Sequence, residues 1–357
     1  MPRILALTKY GRRAASTRQR LEQYLPLLAE QRIEFDIRPL LDDDYLARLA
    51  EGRPASRPAV AAAYARRLKD LLAARSYDAL WIQYELFPYL PGPFERLAGM
   101  VGVPLLVDYD DAIFHTYDHN RRALVRRLLG NKLAPLLRHT TVAMCGNAYL
   151  RDYAARYCPD TVIIPTVVDT AIYRPAERAR GGAVIGWIGS PSTWSYVVPL
   201  LPTLLPLLVQ KGARLRVVGA GPAARGIEGV DSVDWNEARE IADIQSMDVG
   251  IMPLTDDLWS RGKCGYKLIQ YMACGLPVVA SPVGVNRDIV AQGENGFLAS
   301  DPAEWVAALT DLLERPDLGR TMGASGRERV VERYSVASQR EPLLEAITRA
   351  LEHKRAR

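Results

Sequence analysis

Metal-binding and redox residue types are scarce in this chain: 357 residues hold four histidines and four cysteines. Cys145, Cys158, Cys264 and Cys274 form no CxxC pair, which points to free thiols in a reducing compartment. Long apolar runs are missing too. The greasiest stretch, Val197 to Val209, falls short of the ~20 residues a membrane span needs and is interrupted by Pro199, Pro202 and Pro206. The opening MPRILALTKYG turns polar too soon for a secretory signal. These absences imply a soluble, cytoplasmic chain. Against them stand 48% apolar and 24% charged residues, the balance of a globular protein. The length suits two domains of about 150–180 residues. A formal net charge of +5 favours anionic partners without choosing among them.

Short β-rich apolar runs alternate with longer helical patterns. One series of expected strands is Ile4–Leu7, Ile33–Ile37, Ala79–Gln83, Pro104–Asp108, Thr141–Met144 and Val162–Ile164. A second is Val184–Ile188, Leu215–Val218, Val249–Met252, Pro277–Ala280 and Phe297–Ala299. Continuous apolar runs are the mark of parallel strands buried on both faces. Two such series predict an α/β chain of two doubly wound, Rossmann-like parallel-sheet domains. Pro175, the charged run Glu177 to Arg180, and Gly181–Gly182 read as a linker. The predicted domains are 1–175 and 183–334, followed by a terminal helix over 335–357.

The stretch DVGIMPLTDDLWSRGKCGYKLIQYMACGLPVVASPVGVNRDIVAQGENGFLAS, Asp248 to Ser300, resembles the donor-binding core of family 4 glycosyltransferases, the retaining GT-B group. YMACGLPVVAS and the later G-x-N-G-F-L turn are its most specific pieces. Val162–Pro175 is similar to the family's joining stretch, and GWIGSPST, Gly186–Thr193, takes the place of its glycine turn. The resemblance implies a GT-B fold with two domains facing a cleft. The donor would sit on the C-terminal domain, the acceptor on the N-terminal side, and the last helix would return to the N-terminal domain. The family usually has two glutamates eight residues apart, where this chain has Gly262 and Gln270. Gln270 can still bond ribose hydroxyls, whereas Gly262 offers only backbone. The family's cations after the first strand of the second domain are replaced by Ser190 and Ser195.

A nucleoside diphosphate must be met by backbone amides and cations when no metal helps. The candidate donor residues are Gly189, Ser190, Ser192 and Thr193, after a strand; the cations Arg261, Lys263 and Lys267; and Gln270, Gly284 and Val285. Gly219 and Gly221, in GAGPAA, are further candidates. This segment imitates a dinucleotide fingerprint, but Gly226 and Gly229 break the helix that should follow, and another strand pattern begins by Asp231. Gly11 and Arg18, in the loop after the first strand, could face phosphate or acceptor. The candidate catalytic residues are Asp110, His115 and Lys267, the first two at a strand's C-terminal end, where α/β sites gather. The alternative for Asp108–His119 is a capped acidic turn. DYDD also resembles a metal-binding DxD, a motif of another glycosyltransferase architecture, so the expectation is no metal and no cofactor. The basic amphipathic segment Arg121 to Lys132 either lies on an anionic membrane or packs its apolar face in the core.

The expected function is retaining, metal-independent transfer of a hexosyl or related sugar from a UDP- or GDP-linked donor. The acceptor would be a hydroxyl of a glycan, lipid-linked or small molecule, with peripheral membrane association and no nucleic-acid partner. An inactive nucleotide-sugar-binding or partner subunit of the same fold is the alternative, and an epimerase of similar build a more distant one.

Overall fold

The computed structural model describes residues 1–50, 53, 56–177 and 182–355. Part of the expected linker, 178–181, lies outside them. The chain forms two compact units. The first comprises residues 1–166, 262–264 and 339–357, and the second 167–261 and 265–338.

The first unit holds a six-stranded parallel sheet of order β2-β1-β3-β4-β5-β6. Its strands are β1 (Arg3–Tyr10), β2 (Glu34–Leu41), β3 (Ala79–Gln83), β4 (Leu105–Tyr109), β5 (Val142–Cys145) and β6 (Thr161–Ile163). Ile4, Leu5, Ala6 and Leu7 are all fully buried, so helices cover both faces and the strand sequences run apolar without alternating. The terminal helix Arg340–Arg355 packs against β3, β4 and β5. Near its end Lys354 Nζ donates to Asp78 Oδ1 at 2.8 Å.

The second unit repeats the design with order β12-β11-β10-β7-β8-β9. Its strands are β7 (Val184–Ile188), β8 (Arg214–Val218), β9 (Val230–Val233), β10 (Val249–Met252), β11 (Val278–Ala280) and β12 (Gly296–Leu298). Strand order reverses between β7 and β10, the switch point beside which doubly wound sheets bind ligands at their carboxyl ends. β9 is the strand expected to begin by Asp231, outside the series of five; it is an edge strand whose four residues are all half-buried, so its apolar signal is weak.

The helical run Pro191–Gln210 is long and apolar enough, by length and composition, to cross a membrane. Its Trp194, Val197, Leu200, Leu201, Leu204, Leu207 and Leu208 instead build the second unit's core, with Ile185, Trp187, Leu215 and Val217 of the sheet. Each such side chain contributes roughly 1.5–3 kcal/mol when fully buried.

Candidate functional site

In the second unit the ends of β7 and β8 meet. Gly189 continues the sheet by donating its N–H to the Val218 carbonyl at 3.0 Å. Gly219 has φ +84°, and a Cβ there would stand 2.3 Å from the Gly189 oxygen. Only glycine lets β8 exit this closely over the neighbouring turn. Gly221 packs on Pro191 of the same turn. Thus Gly189, Gly219 and Gly221 form one patch at the carboxyl edge of the sheet.

The turn itself is self-contained. Ser190 caps the short helix Pro191–Trp194 in a capping box with Thr193. The Ser190 N–H donates to Thr193 Oγ1 at 3.2 Å, and Ser190 Oγ lies 2.9 Å from Ser192 Oγ. The amides of Gly189 and Ser190 are therefore committed within the protein, while the side chains of Ser190 and Ser192 face solvent.

Lys267 reaches this patch from the helix Tyr266–Ala273. Tyr271 pins that helix under the sheet: its hydroxyl accepts from the Ile188 N–H at 2.9 Å, and its ring occupies the space a Cβ on Gly250 would need. One turn earlier on the same face, the Lys267 ammonium lies 5.6 Å from the centre of the Trp187 ring. Its Cε is 2.8 Å from where a Gly189 Cβ would stand. A side chain at 189 would displace this lysine.

The three expected cations do not form one group. Arg261 is exposed and pairs with Asp256, Nε to Oδ1 at 2.7 Å. Lys263 belongs to the first unit and lies 3.9 Å from Asp111. Only Lys267 joins the glycine patch. Each of the others has an acidic neighbour that its spacing in the sequence did not reveal. Gly284, with φ +52°, abuts the Arg261 backbone, and Val285 lies beside Gly265. Gln270 is buried, its amide nitrogen donating to Glu240 Oε1 at 2.8 Å and to the Tyr173 hydroxyl at 3.2 Å. Trp235 Nε1 holds the other oxygen of Glu240 at 2.6 Å. Behind Gly219, the GAGPAA segment makes a one-turn 3-10 helix, Gly221–Ala224, and then β9, so no dinucleotide-type helix follows.

In the first unit Asp110 follows β4. The hydroxyl of Tyr84, a residue held at φ +66°, donates to its carboxylate. A non-glycine residue in this region is strained and is often found at functional sites. Burial, then the carboxylates of Asp111 and Asp108, push the Asp110 carboxyl up to about 7, against the opposing pull of Arg20. Asp108 is spoken for by buried Arg20, whose Nε lies 3.1 Å from its Oδ2. The acids of the DxD-like run thus have separate partners in Arg20, Tyr84 and Lys263.

The segment 262–264 is bound to the same place. Asn147 Nδ2 donates to the carbonyls of Gly262 (3.0 Å) and Lys263 (3.1 Å), while its Oδ1 caps the helix Ala148–Ala154. Cys264 Sγ donates to the Asp110 carbonyl at 3.1 Å. A Cβ on Gly262 would stand 2.4 Å from that of Ala112. With this packing, a glutamate at 262 cannot be accommodated.

Gly11 lies against Asp43, and Arg18 Nη1 donates to the carbonyls of Arg12 and Arg13 at 3.0 and 2.9 Å; both brace the loop after β1. His115 begins the short helix His115–Asp118, and both its ring nitrogens are engaged, by Asp118 and by the Tyr149 hydroxyl, each at 2.8 Å. Tyr84, Asn147, Tyr173, Trp187 and Glu240 were not foreseen; a buried Asn, Tyr or Trp has no sequence signature of its own.

Two parallel six-stranded sheets of these orders, each wrapped by helices, define the GT-B fold. Sucrose-phosphate synthase from Thermosynechococcus elongatus is similar over 99% of this chain and 100% of its own, with TM-score 0.73 at 16% identity. HepE from Anabaena, solved in complex with UDP, is similar over 98% of this chain and 100% of its own, with TM-score 0.65 at 14% identity. Residues 182–315, which lie largely in the second unit, match the family model described as Glycosyl transferases group 1. D-inositol 3-phosphate glycosyltransferase of Thermobispora bispora is 29% identical over 196 residues, 54% of this chain and 40% of that relative. MMP alpha-(1->4)-mannosyltransferase of Mycolicibacterium hassiacum is 28% identical over 241 residues, 60% of this chain and 56% of that protein. The chain therefore spans about half the length of these curated relatives.

Proposed function

We propose that the chain transfers a glycosyl group from a nucleoside diphosphate sugar, UDP- or GDP-linked, to a hydroxyl acceptor with retention of configuration. The observation that carries this is the Lys267 ammonium beside the side-chain-free Gly189, at the carboxyl edge of a sheet within the region that matches the Glycosyl transferases group 1 model. In this proposal Lys267 and the exposed hydroxyls of Ser190 and Ser192 meet the diphosphate. Retention then follows if the acceptor attacks from the face the diphosphate leaves, with a departing phosphate oxygen taking the acceptor proton. Lys267 stabilises the charge growing on that leaving group without a bridging divalent ion. The relatives' printed activities and the UDP in HepE support a nucleotide-sugar donor.

Asp110 is the proposed acceptor-side residue, a carboxyl that exchanges its proton near neutrality. Its folded value, about 7, lies above its ordinary 3.8. Between those values the folded chain holds a proton the unfolded chain has lost, so stability falls as pH rises through that window. Melting temperatures at steps from pH 5 to 8 should decline more for the wild type than for Asp110→Asn; parallel curves would remove Asp110 from this role.

The helix Ala123–Leu129 carries exposed Leu124 and Leu128, 67% and 61% accessible, among exposed Arg121, Arg122, Arg126 and Arg127. This supports a peripheral site on the cytoplasmic face of an anionic membrane, and hence a lipid-linked acceptor. Each basic residue near such a surface is worth about 1 kcal/mol, or roughly fivefold in binding. Arg126→Glu/Arg127→Glu should cut sedimentation with phosphatidylserine vesicles more than twentyfold at low salt; wild-type protein that ignores these vesicles would end the membrane proposal.

The transfer proposal is tested by melting shifts with UDP-, GDP- and ADP-sugars in EDTA, followed by turnover of the stabilising donor. A ligand that binds only the folded state raises the melting point. A shift without turnover over a broad acceptor set would mark a binding subunit, and no shift with any donor would sink the proposal.

A further inference from the structure

We infer that the turn His115–His119 is a binding site for a divalent transition metal, with His115, Asp118 and His119 as its ligands. One ligand atom from each lies within 4.8 Å of those of the other two. The spacing i, i+3, i+4 sets three side chains on one face of a helical turn. Neutral imidazole suits zinc, cobalt, nickel and copper, and one carboxylate adds charge without turning the site toward calcium or magnesium.

The surroundings prepare His115 for this role. Its Nε2 faces the Tyr149 hydroxyl and its Nδ1 faces Asp118 Oδ1, each at 2.8 Å. In the metal-free turn Nδ1–H donates to the Asp118 carboxylate; on binding, the metal takes the place of that proton at Nδ1, while Nε2–H donates to the Tyr149 hydroxyl. A ligating histidine ordinarily donates its other N–H in this way, which fixes tautomer and ring. The ring is further held edge-on against Phe114 at 4.4 Å between centroids, and Phe114 stacks on Tyr153. His119 is the adjustable ligand: its ring centroid is 4.8 Å from that of His115, and it is exposed. Zinc bonds of about 2.0 Å place tetrahedral ligand atoms about 3.3 Å apart, so His119 closes the site by a small side-chain rotation. Three protein ligands with solvent access leave a fourth position for water or an added ligand.

This site lies wholly in the first unit and shares no residue with the donor patch, so it stands or falls apart from the donor proposal. The expectation of no metal rests on one acidic group, DYDD, without a supporting His/Cys set; the turn that follows it brings His115 and His119 together with Asp118.

The test uses the full chain, stripped with EDTA and titrated at pH 7.5 with cobalt(II), followed by visible absorption, and with zinc, followed by calorimetry. One equivalent should bind, with intense visible cobalt bands reporting a low-coordinate site. His119→Ala and Asp118→Asn should each weaken binding at least tenfold; both side chains are accessible enough to be replaced without unfolding. His353→Ala, in the terminal helix, should leave binding unchanged. Absence of a one-equivalent event overturns the inference. So does binding that survives His119→Ala, or binding that His353→Ala weakens equally.

Discussion

Replacing Lys267 with alanine should lower kcat/KM for the nucleotide-sugar donor about 100- to 1,000-fold, the loss seen when one positioned stabiliser of developing charge is removed. The fold should survive the change. Lys267 is half-buried at the start of its helix, and Tyr271, Leu268 and Ile269 hold that helix in the core. Lys267→Arg should restore only part of the activity. A planar guanidinium would have to fit a space bounded by the Trp187 ring and the Gly189 backbone, where it is not equivalent to a compact ammonium. Steady-state kinetics with one donor concentration series decide the matter. Unchanged kcat/KM in Lys267→Ala would mean that the diphosphate charge is met elsewhere.

The largest effect on stability should come from Lys132→Met. Lys132 Nζ is fully buried and donates to Glu85 Oε2 at 2.5 Å, Glu95 Oε1 at 2.9 Å and the Phe87 carbonyl at 2.9 Å. Both carboxylates are at most 1% exposed. Removing the cation leaves Glu95 without its buried lysine and Glu85 with only Lys9, 3.4 Å from its Oε1, at a cost of about 3–5 kcal/mol. Methionine fills much of the lysine volume, so the loss is electrostatic more than steric. Urea unfolding of Lys132→Met measures the cost, and Lys132→Met/Glu85→Gln should recover part of it. A loss below about 1 kcal/mol would show that these acids do not depend on the lysine.

That network also shapes the first unit's candidate site. Glu95 accepts the N–H groups of Leu86 and Phe87 at 2.8 and 3.0 Å, fixing the loop whose ends, Tyr84 and Tyr89, have left-handed backbones. Tyr84 in turn holds Asp110. Lys132→Met should therefore disturb the Asp110 carboxyl as well as the fold.

The two sheets were largely legible because a strand covered on both faces must be apolar throughout, as in VIGWI of β7 and ALWIQ of β3. Strand β9, VDSV, shows only as a weak strand pattern near Asp231, because an edge strand lacks that demand. The residues of the donor patch could be named singly, since a glycine after a strand or a lysine in an apolar helix start stands out. Their convergence could not, because it depends on how Tyr271 docks under β7. Arg261 and Asp256 are five residues apart and each reads as a plain surface charge; only the turn between them makes the pair. A tyrosine forced to φ +66° leaves no trace in sequence, and neither does the contact of Gly262 with Ala112.

A structure of the full chain with UDP or GDP in EDTA bears most directly on the central claim. The account predicts a diphosphate oxygen within hydrogen-bond distance of Lys267 Nζ, over Gly189 and beside the Ser190 and Ser192 hydroxyls, with no divalent ion. A diphosphate bound away from Lys267, or one seen only when magnesium or manganese bridges it, would contradict the account.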